Sequence, residues 1–255
     1  MSGSDRVVRD VLYVTDGPVT VLTLHRPDAK NAFDRALFES AREELDRAAH
    51  DDSVKVVVIT GAGDAFSAGA DLREAAEVEH RAEGRARYRE LMAALENFPK
   101  PLVAAVNGVA VGLGATLLLH CDLVLMAETV RVRMPFVALG LTAEAGSSYL
   151  LPALVGAQEA AALLLTGGWM GAQQAHQSGI AWKVTKPREL LDDALAVSAA
   201  IAEHPVDALV ATKQLLLAAR GDAVSAARER EQRAYDTLLE SATVRMKSQG
   251  ERYER

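Results

Sequence analysis

Along the apolar and polar pattern of the chain, residues 7–13 and 19–25 stand out first as two runs rich in β-forming residues. Between the runs, Asp16-Gly17 supplies the backbone freedom of a tight turn, so the chain is predicted to open with a β-hairpin. The pattern then changes: Leu37, Ala41, Leu45 and Ala48 recur at helical spacing behind Asp34, whose carboxylate suits an N-cap, and predict a helix ending near His50. Residues 54–60 are almost wholly apolar, the mark of a strand buried on both faces. Tyr88, Leu91, Met92, Leu95 and Phe98 form the apolar stripe of a charged helix that Pro99-Lys100-Pro101 stops. A second buried strand at 102–106, a glycine-rich turn, a helix to about His120 and a strand at 123–126 follow.

From about Ala157 the periodicity is helical. Helices are predicted at 157–165, 172–178, 189–203, 206–220 and 223–246, broken by Gly167-Gly168, Gly179, Pro187, Pro205 and Gly221. Strand, loop and helix in repeated order predict an α/β core with ligands bound at loops beyond the strand ends. The last third is predicted to be helical. Its alanine- and leucine-rich faces need cover from the core or from another subunit. Trp169 and Trp182 read as packing residues.

Composition narrows the class. Of 255 residues 49% are hydrophobic, enough for a substantial core. A net charge of −7 opposes a general polyanion-binding surface, so nucleic acid is not an expected partner. Cys121 is the single cysteine, which excludes an intrachain disulfide framework and a thiolate metal cluster. Residues 1–10 are polar and charged, and no apolar run approaches the ~20 residues that span a bilayer, so a cytoplasmic protein without a membrane partner is expected.

Two segments, 61–72 and 99–122, share one layout: a buried strand runs into a glycine-rich loop and then a helix. Gly112 and Gly114 remove side chains that would hold a ligand off the main chain, and a helix start adds unpaired N–H donors. Neither loop has the Gly-Lys-Ser/Thr of a Walker A motif or the Gly-x-Gly-x-x-Gly of a dinucleotide site. Two such loops can supply two donors to one oxygen.

Phe66-Ser67-Ala68-Gly69-Ala70-Asp71-Leu72, followed by Ala105-Val106-Asn107-Gly108-Val109-Ala110-Val111-Gly112-Leu113-Gly114 and Cys121-Asp122, resembles the crotonase (enoyl-CoA hydratase/isomerase) superfamily. The Pro-x-x-x-Leu-Gly-Leu run from Pro135 to Leu141 and the stretch from Gly167 to Gly179-Ile180 extend the resemblance over nearly the whole chain. It implies an α/β spiral of repeated ββα units over 1–195 that carries the CoA and acyl site. A helical region over 196–255 would serve as lid and oligomer contact, in a homotrimer or dimer of trimers. It also implies an acyl-CoA thioester as substrate, with no metal or redox cofactor. The Ala70 and Leu113 N–H groups would be the oxyanion donors, and the backbone around Ala68 and Leu72 would hold the adenine end of CoA. Lys30 would be a phosphate contact; by its residue type alone it is equally a solvated surface lysine.

The two glutamates of a typical hydratase match Thr116 and Phe136, neither of which is a carboxylate. Thr116 reads as a helix residue bonding back to a carbonyl, or as a group orienting water or substrate, and Phe136 as an apolar pocket wall. Glu144, in a Glu-x-x-Ser-Ser run, is similar in position to the acid of peroxisomal-type Δ3,Δ2-enoyl-CoA isomerases, and dienoyl-CoA isomerases carry an acid there too. By itself Glu144 reads as an exposed glutamate near a helix start. With the resemblance, the implied activity is enoyl-CoA isomerisation with Glu144 as base. A hydratase, or a CoA-thioester binder without turnover, is the alternative, and the ending at 241–255 lacks the Ala-Phe-rich tail common in relatives. Burial beside Phe136 and Leu141 would raise the glutamate pKa and the helix start would lower it, a balance the residues leave open. His120 reads as a core or interface histidine, and Ser147 and Ser148 as helix N-terminal hydrogen-bonding groups.

Overall fold

The computed structural model describes the backbone of residues 6–8, 10–77 and 79–250 and the side chains of 10–75, 77 and 79–238, so the expectation about the ending at 241–255 lies outside the described side chains. A seven-stranded sheet and a four-stranded sheet form the core. The large one contains β1 (Arg6–Val8), β2 (Val11–Asp16), β3 (Val19–Leu24), β4 (Val56–Gly61), β6 (Leu102–Val106), β8 (Leu123–Ala127) and β11 (Lys183–Thr185), paired in that order. Pairing is antiparallel through β3 and parallel from there on. The small sheet is ordered β10 (Trp169–Gly171), β9 (Arg131–Arg133), β7 (Val109–Val111), β5 (Ala65–Ser67).

Each long strand β4, β6 and β8 is followed by a short one, β5, β7 and β9, in the other sheet, which is a repeated two-strand unit winding forward. Ten helices are described: α1 (Arg35–His50), α2 (Leu72–Ala76), α3 (Arg81–Glu96), α4 (Leu113–Thr116), α5 (Ser147–Val155), α6 (Ala157–Thr166), α7 (Ala172–Ser178), α8 (Leu190–Ala202), α9 (Val206–Ala218) and α10 (Gly221–Gly250). Every residue of β6 is fully buried, as its unbroken apolar run requires, with α8 packed against β3, β4, β6 and β8. Residue 195 falls inside α8, and α9 and α10 follow it. Among the described residues no single helix is long and apolar enough to cross a membrane.

The Asp16-Gly17 turn forms, with Asp16 opposite Val19, and the Asp34 carboxylate accepts the Leu37 N–H at 2.8 Å as an N-cap. Several elements differ from the sequence pattern. The run at 7–13 is two strands, because Val8 pairs with Val11 across a second hairpin. The helix expected to reach His120 has one α-turn, Leu113–Thr116, and continues as a 3-10 turn at Leu117–His120. The last third is not all helical: β10 and β11 extend both sheets. The helix expected to start near Glu144 is α5, which begins at Ser147 and contains Pro152.

The tryptophans are not packed in the core. Trp169 is 42% exposed on the edge strand β10, under the guanidinium groups of Arg131 and Arg133, and Trp182 is 51% exposed.

Two side-chain amides tie the loops to this frame. The Asn31 Nδ2 donates to the Ala62 and Ala65 carbonyls at 2.9 and 2.8 Å while its Oδ1 accepts the Arg26 N–H at 2.9 Å. Asn107 accepts the Gly61 N–H and donates to the Gly63 carbonyl, joining the ends of β4 and β6. Asn31 is fully buried with φ +54°, a left-handed conformation that asparagine tolerates better than residues with no local amide bond. Asn31→Ala is expected to cost about 3 kcal/mol, seen as a lower urea midpoint with an unchanged denaturant slope.

Candidate active site

The two glycine-rich loops lie against each other. The Phe33 N–H donates to the Gly69 carbonyl and the Asp71 N–H to the Phe33 carbonyl, at 2.7 and 2.8 Å, as in one rung of a parallel ladder. Bonding directions alternate along such a rung, so the N–H of Ala70, the residue between, faces away from Phe33. Among the described residues neither the Ala70 nor the Leu113 N–H has an acceptor. Gly69, at φ +89°, brings them together: a β-carbon there would lie 3.3 Å from the Leu113 nitrogen and 2.5 Å from the Val111 carbonyl oxygen.

At Gly114 a β-carbon would meet the Ser67 carbonyl oxygen at 2.5 Å, so this glycine serves loop-on-loop packing and not the approach of a ligand. Gly112 has open space by comparison, its nearest neighbour being the Phe136 ring at 3.9 Å, and its glycine identity answers to its φ of +53°.

A cavity of about 470 Å³ opens beside these loops, between α2, α3, α10 and the loop that precedes α5. Ala70 and Glu144 both line it. Leu113, Thr116 and Phe136 are buried and off its wall. Thr116 Oγ1 donates to the Leu113 carbonyl at 3.3 Å. Lys30 is exposed, and its carbonyl accepts the Ala68 N–H at 2.9 Å; Lys30, Ala68 and Leu72 are all off the cavity wall.

Glu144 sits in a loop whose backbone is pinned from three directions. Ala145 has φ +59°, uncommon for a residue with a β-carbon. Its N–H donates to the Tyr88 hydroxyl from α3 at 2.9 Å, and its carbonyl accepts His120 Nε2–H at 2.8 Å. The Gly146 and Ser148 N–H groups, at the start of α5, both donate to the Glu231 carboxylate from α10 at 2.8 Å. Ser147 and Ser148 therefore do not cap α5 with their side chains, as expected from sequence. The carboxylate of a distant helix takes that role, and Ser147 Oγ has no partner among the described residues.

The enoyl-CoA hydratase/isomerase family profile matches residues 15–254. The chain belongs to this family. It is similar to the 2,3-dehydroadipyl-CoA hydratase of Escherichia coli (strain K12), 40% identical over 221 residues that cover 87% of this chain and 86% of the relative. It is also similar to enoyl-CoA delta isomerase 2 of Rattus norvegicus, 36% identical over 187 residues, 71% of this chain and 48% of the relative. A solved enoyl-CoA hydratase/isomerase from Mycobacterium paratuberculosis matches with a TM-score of 0.87 at 31% identity, over 94% of this chain and 98% of that one. The winding of two-strand units is accordingly the crotonase fold.

The electrostatics of this enoyl-CoA hydratase/isomerase family member centre on Glu144. Its side chain is partly buried against the cavity wall, not exposed, and among the described residues no hydrogen bond or ion pair neutralises it. Burial, and then the like charge of Glu231, push its pKa up to about 7. The lowering effect of the helix start is taken up by Glu231, which holds the N–H groups at the head of α5. Burial also carries Tyr88 well above the usual phenol range and Tyr235 to about 12, with the Glu144 charge adding to both. His120 is pushed down to about 4 by burial and donates as a neutral imidazole. Sequence reasoning placed Tyr88 in an apolar stripe and missed Glu231 and Tyr235. Their only signal is a position on α10, whose docking over the loop is a tertiary fact.

A carboxyl whose folded pKa is raised binds its proton more tightly in the native state than in the unfolded chain. The stability it lends is present below the usual value of 4.5 and is lost as pH rises through about 7, a loss of about 3 kcal/mol in all. Glu144→Gln is therefore expected to match the wild type in urea denaturation near about pH 4 and to exceed it by up to about 3 kcal/mol near about pH 8. An equal difference at both pH values would contradict the raised pKa.

Proposed function

We propose that this enzyme is a Δ3,Δ2-enoyl-CoA isomerase in which Glu144 shuttles the proton and the Ala70 and Leu113 N–H groups hold the thioester oxygen. The observation that carries this reading is an unpaired, desolvated carboxylate sharing one cavity with Ala70, while Thr116 and Phe136 stand in place of a second and third acid. Glu144 as carboxylate takes a proton from C2 of a 3-enoyl thioester; the electron pair moves onto the thioester oxygen as a dienolate. Two N–H donors beside that oxygen stabilise the new charge by several kcal/mol in a site that excludes water. Glu144 then returns the same proton to C4, which leaves the double bond between C2 and C3. Atoms and charge balance without an electron carrier or an activated water.

A pKa of about 7 suits both halves of the shuttle, since the group is a strong enough base for the first step and a strong enough acid for the second. Lys30 and the backbone at Ala68 and Leu72 hold the nucleotide end of CoA in this reading. Leu165, Leu215 and Leu216 are strongly exposed in the single chain, which supports a homotrimer or dimer of trimers that covers them. A hydratase is the second reading, favoured by the name of the 40% identical relative; it would ask Glu144 alone to activate water.

Wild type and Glu144→Ala, each offered 3-enoyl-CoA and 2-enoyl-CoA, separate these readings. The expected outcome is rapid isomerisation of 3-enoyl-CoA, with kcat/KM rising with pH through about 7 as Glu144 ionises, and a loss of about a thousandfold in Glu144→Ala. Brisk hydration of 2-enoyl-CoA that survives the substitution would overturn the isomerase reading. Calorimetric binding of a non-reactive acyl-CoA without turnover of either substrate would point to a binder.

A further inference from the structure

Glu231 is a buried charged residue beside the site whose geometry the proton shuttle does not use. It is 7% exposed, it projects from α10, and both its carboxylate oxygens are engaged by main-chain N–H groups two and four residues past Glu144. A surface cap would place a short Ser, Thr, Asp or Asn of the same segment at that point; here Gly146 occupies the N-cap position with φ +73° and no side chain to offer. The turn from Glu144 into α5 thus depends on a group delivered from the far end of the chain. Resting on the isomerase reading, we propose that Glu231 is a positioning residue for Glu144. In this role it fixes the loop that carries the base, supplies a buried like charge beside it, and makes a competent base conditional on α10 being docked over the cavity.

The surroundings support a specific effect of this charge. From α3, Tyr88 faces the loop, with Arg81, Arg85 and Arg89 further along the cavity wall. Asp71, the N-cap of α2, and Glu74 on α2 line the cavity but are engaged by Arg26 and Arg35. On α10, Arg228 is held by Glu96 at 2.6 Å and Arg85 pairs with Asp236 of the same helix, while Tyr235 completes the wall. His120, from the 3-10 turn below the loop, is neutral. The Glu231 carboxylate, in contrast, is satisfied by uncharged N–H groups and makes no direct ion pair among the described residues. Next to burial, it is the contribution that raises the proton affinity of the base.

Removing the charge and removing the cap have different signatures, and pH–rate profiles on 3-enoyl-CoA distinguish them. Glu231→Gln keeps the shape, loses the charge and turns an amide NH2 toward one of the two N–H groups. Its acid limb is expected to move toward lower pH by about one pH unit, with kcat about tenfold lower and KM within about twofold. Glu231→Asp keeps the charge but is one methylene short, so its kcat falls while its acid limb stays at the wild-type position.

A folded Glu231→Gln with wild-type kcat and an unmoved acid limb would overturn the proposal. Should Glu231→Gln fail to fold, an acid limb in Glu231→Asp that shifts would overturn it instead. Glu144→Ala, run alongside, tells this failure apart from a failure of the isomerase reading. If Glu144→Ala is inactive, only the role of Glu231 falls; if it stays active, Glu144 is not the base and both fall together.

Discussion

The close approach of two backbone loops, Gly69 against the Leu113 nitrogen and Gly114 against Ser67, is the constraint on which the site depends. Neither contact tolerates a β-carbon, and no side chain could replace what they achieve, which is to bring two main-chain N–H groups from different repeats near one point. The two sheets exist in a form that allows it. Each long parallel strand ends beside a short strand of the second sheet, and the loops emerge from that junction. Two side-chain amides then lock the junction: the buried Asn31 satisfies carbonyls that the loop path would otherwise strand away from water, and the half-buried Asn107 ties Gly61 to Gly63.

Glu144 is governed by the opposite physics. The two loop N–H groups are fixed by satisfied contacts around them, whereas the carboxylate proposed as the base has no partner of its own among the described residues. Main-chain bonds to Tyr88, His120 and Glu231 hold the loop through Ala145, Gly146 and Ser148, and leave the carboxylate with the cavity. The same desolvation and like-charge repulsion that tune it near neutrality also weaken the folded state above that pH, the familiar opposition between stability and a primed site. The strain of a left-handed Ala145 is sustained by bonds on both its N–H and its carbonyl.

How much of this could be read beforehand differs by element. The hairpin, the capped helix at Asp34 and the buried strands β4 and β6 were legible because each expresses a periodicity or a cap within a few residues. The small sheet was not, because strands of three residues carry too few positions for alternation to register. Trp169 and Trp182 misled because aromatic residues default to packing, and only the edge position of β10 shows Trp169 facing outward. Gly114 misled because a glycine needed for a neighbouring loop looks the same in sequence as one needed for a ligand. Ser147 and Ser148 misled because a cap is read locally, and this one comes from α10.

The sequence by itself determined the second hairpin strand at 19–24, the capped helix after Asp34, the long buried strands β4, β6 and β8, the two glycine loops, and the absence of carboxylates at Thr116 and Phe136, since each depends on residue type and near-neighbour spacing. Only the tertiary structure decided that Ala70 and Glu144 share a cavity, that Glu144 is desolvated instead of stabilised by its helix, and that Glu231 stands beside it. Proton affinity is set by water exclusion and by charges nearby in space. Those are properties of packing between segments, and no local pattern along the chain encodes them.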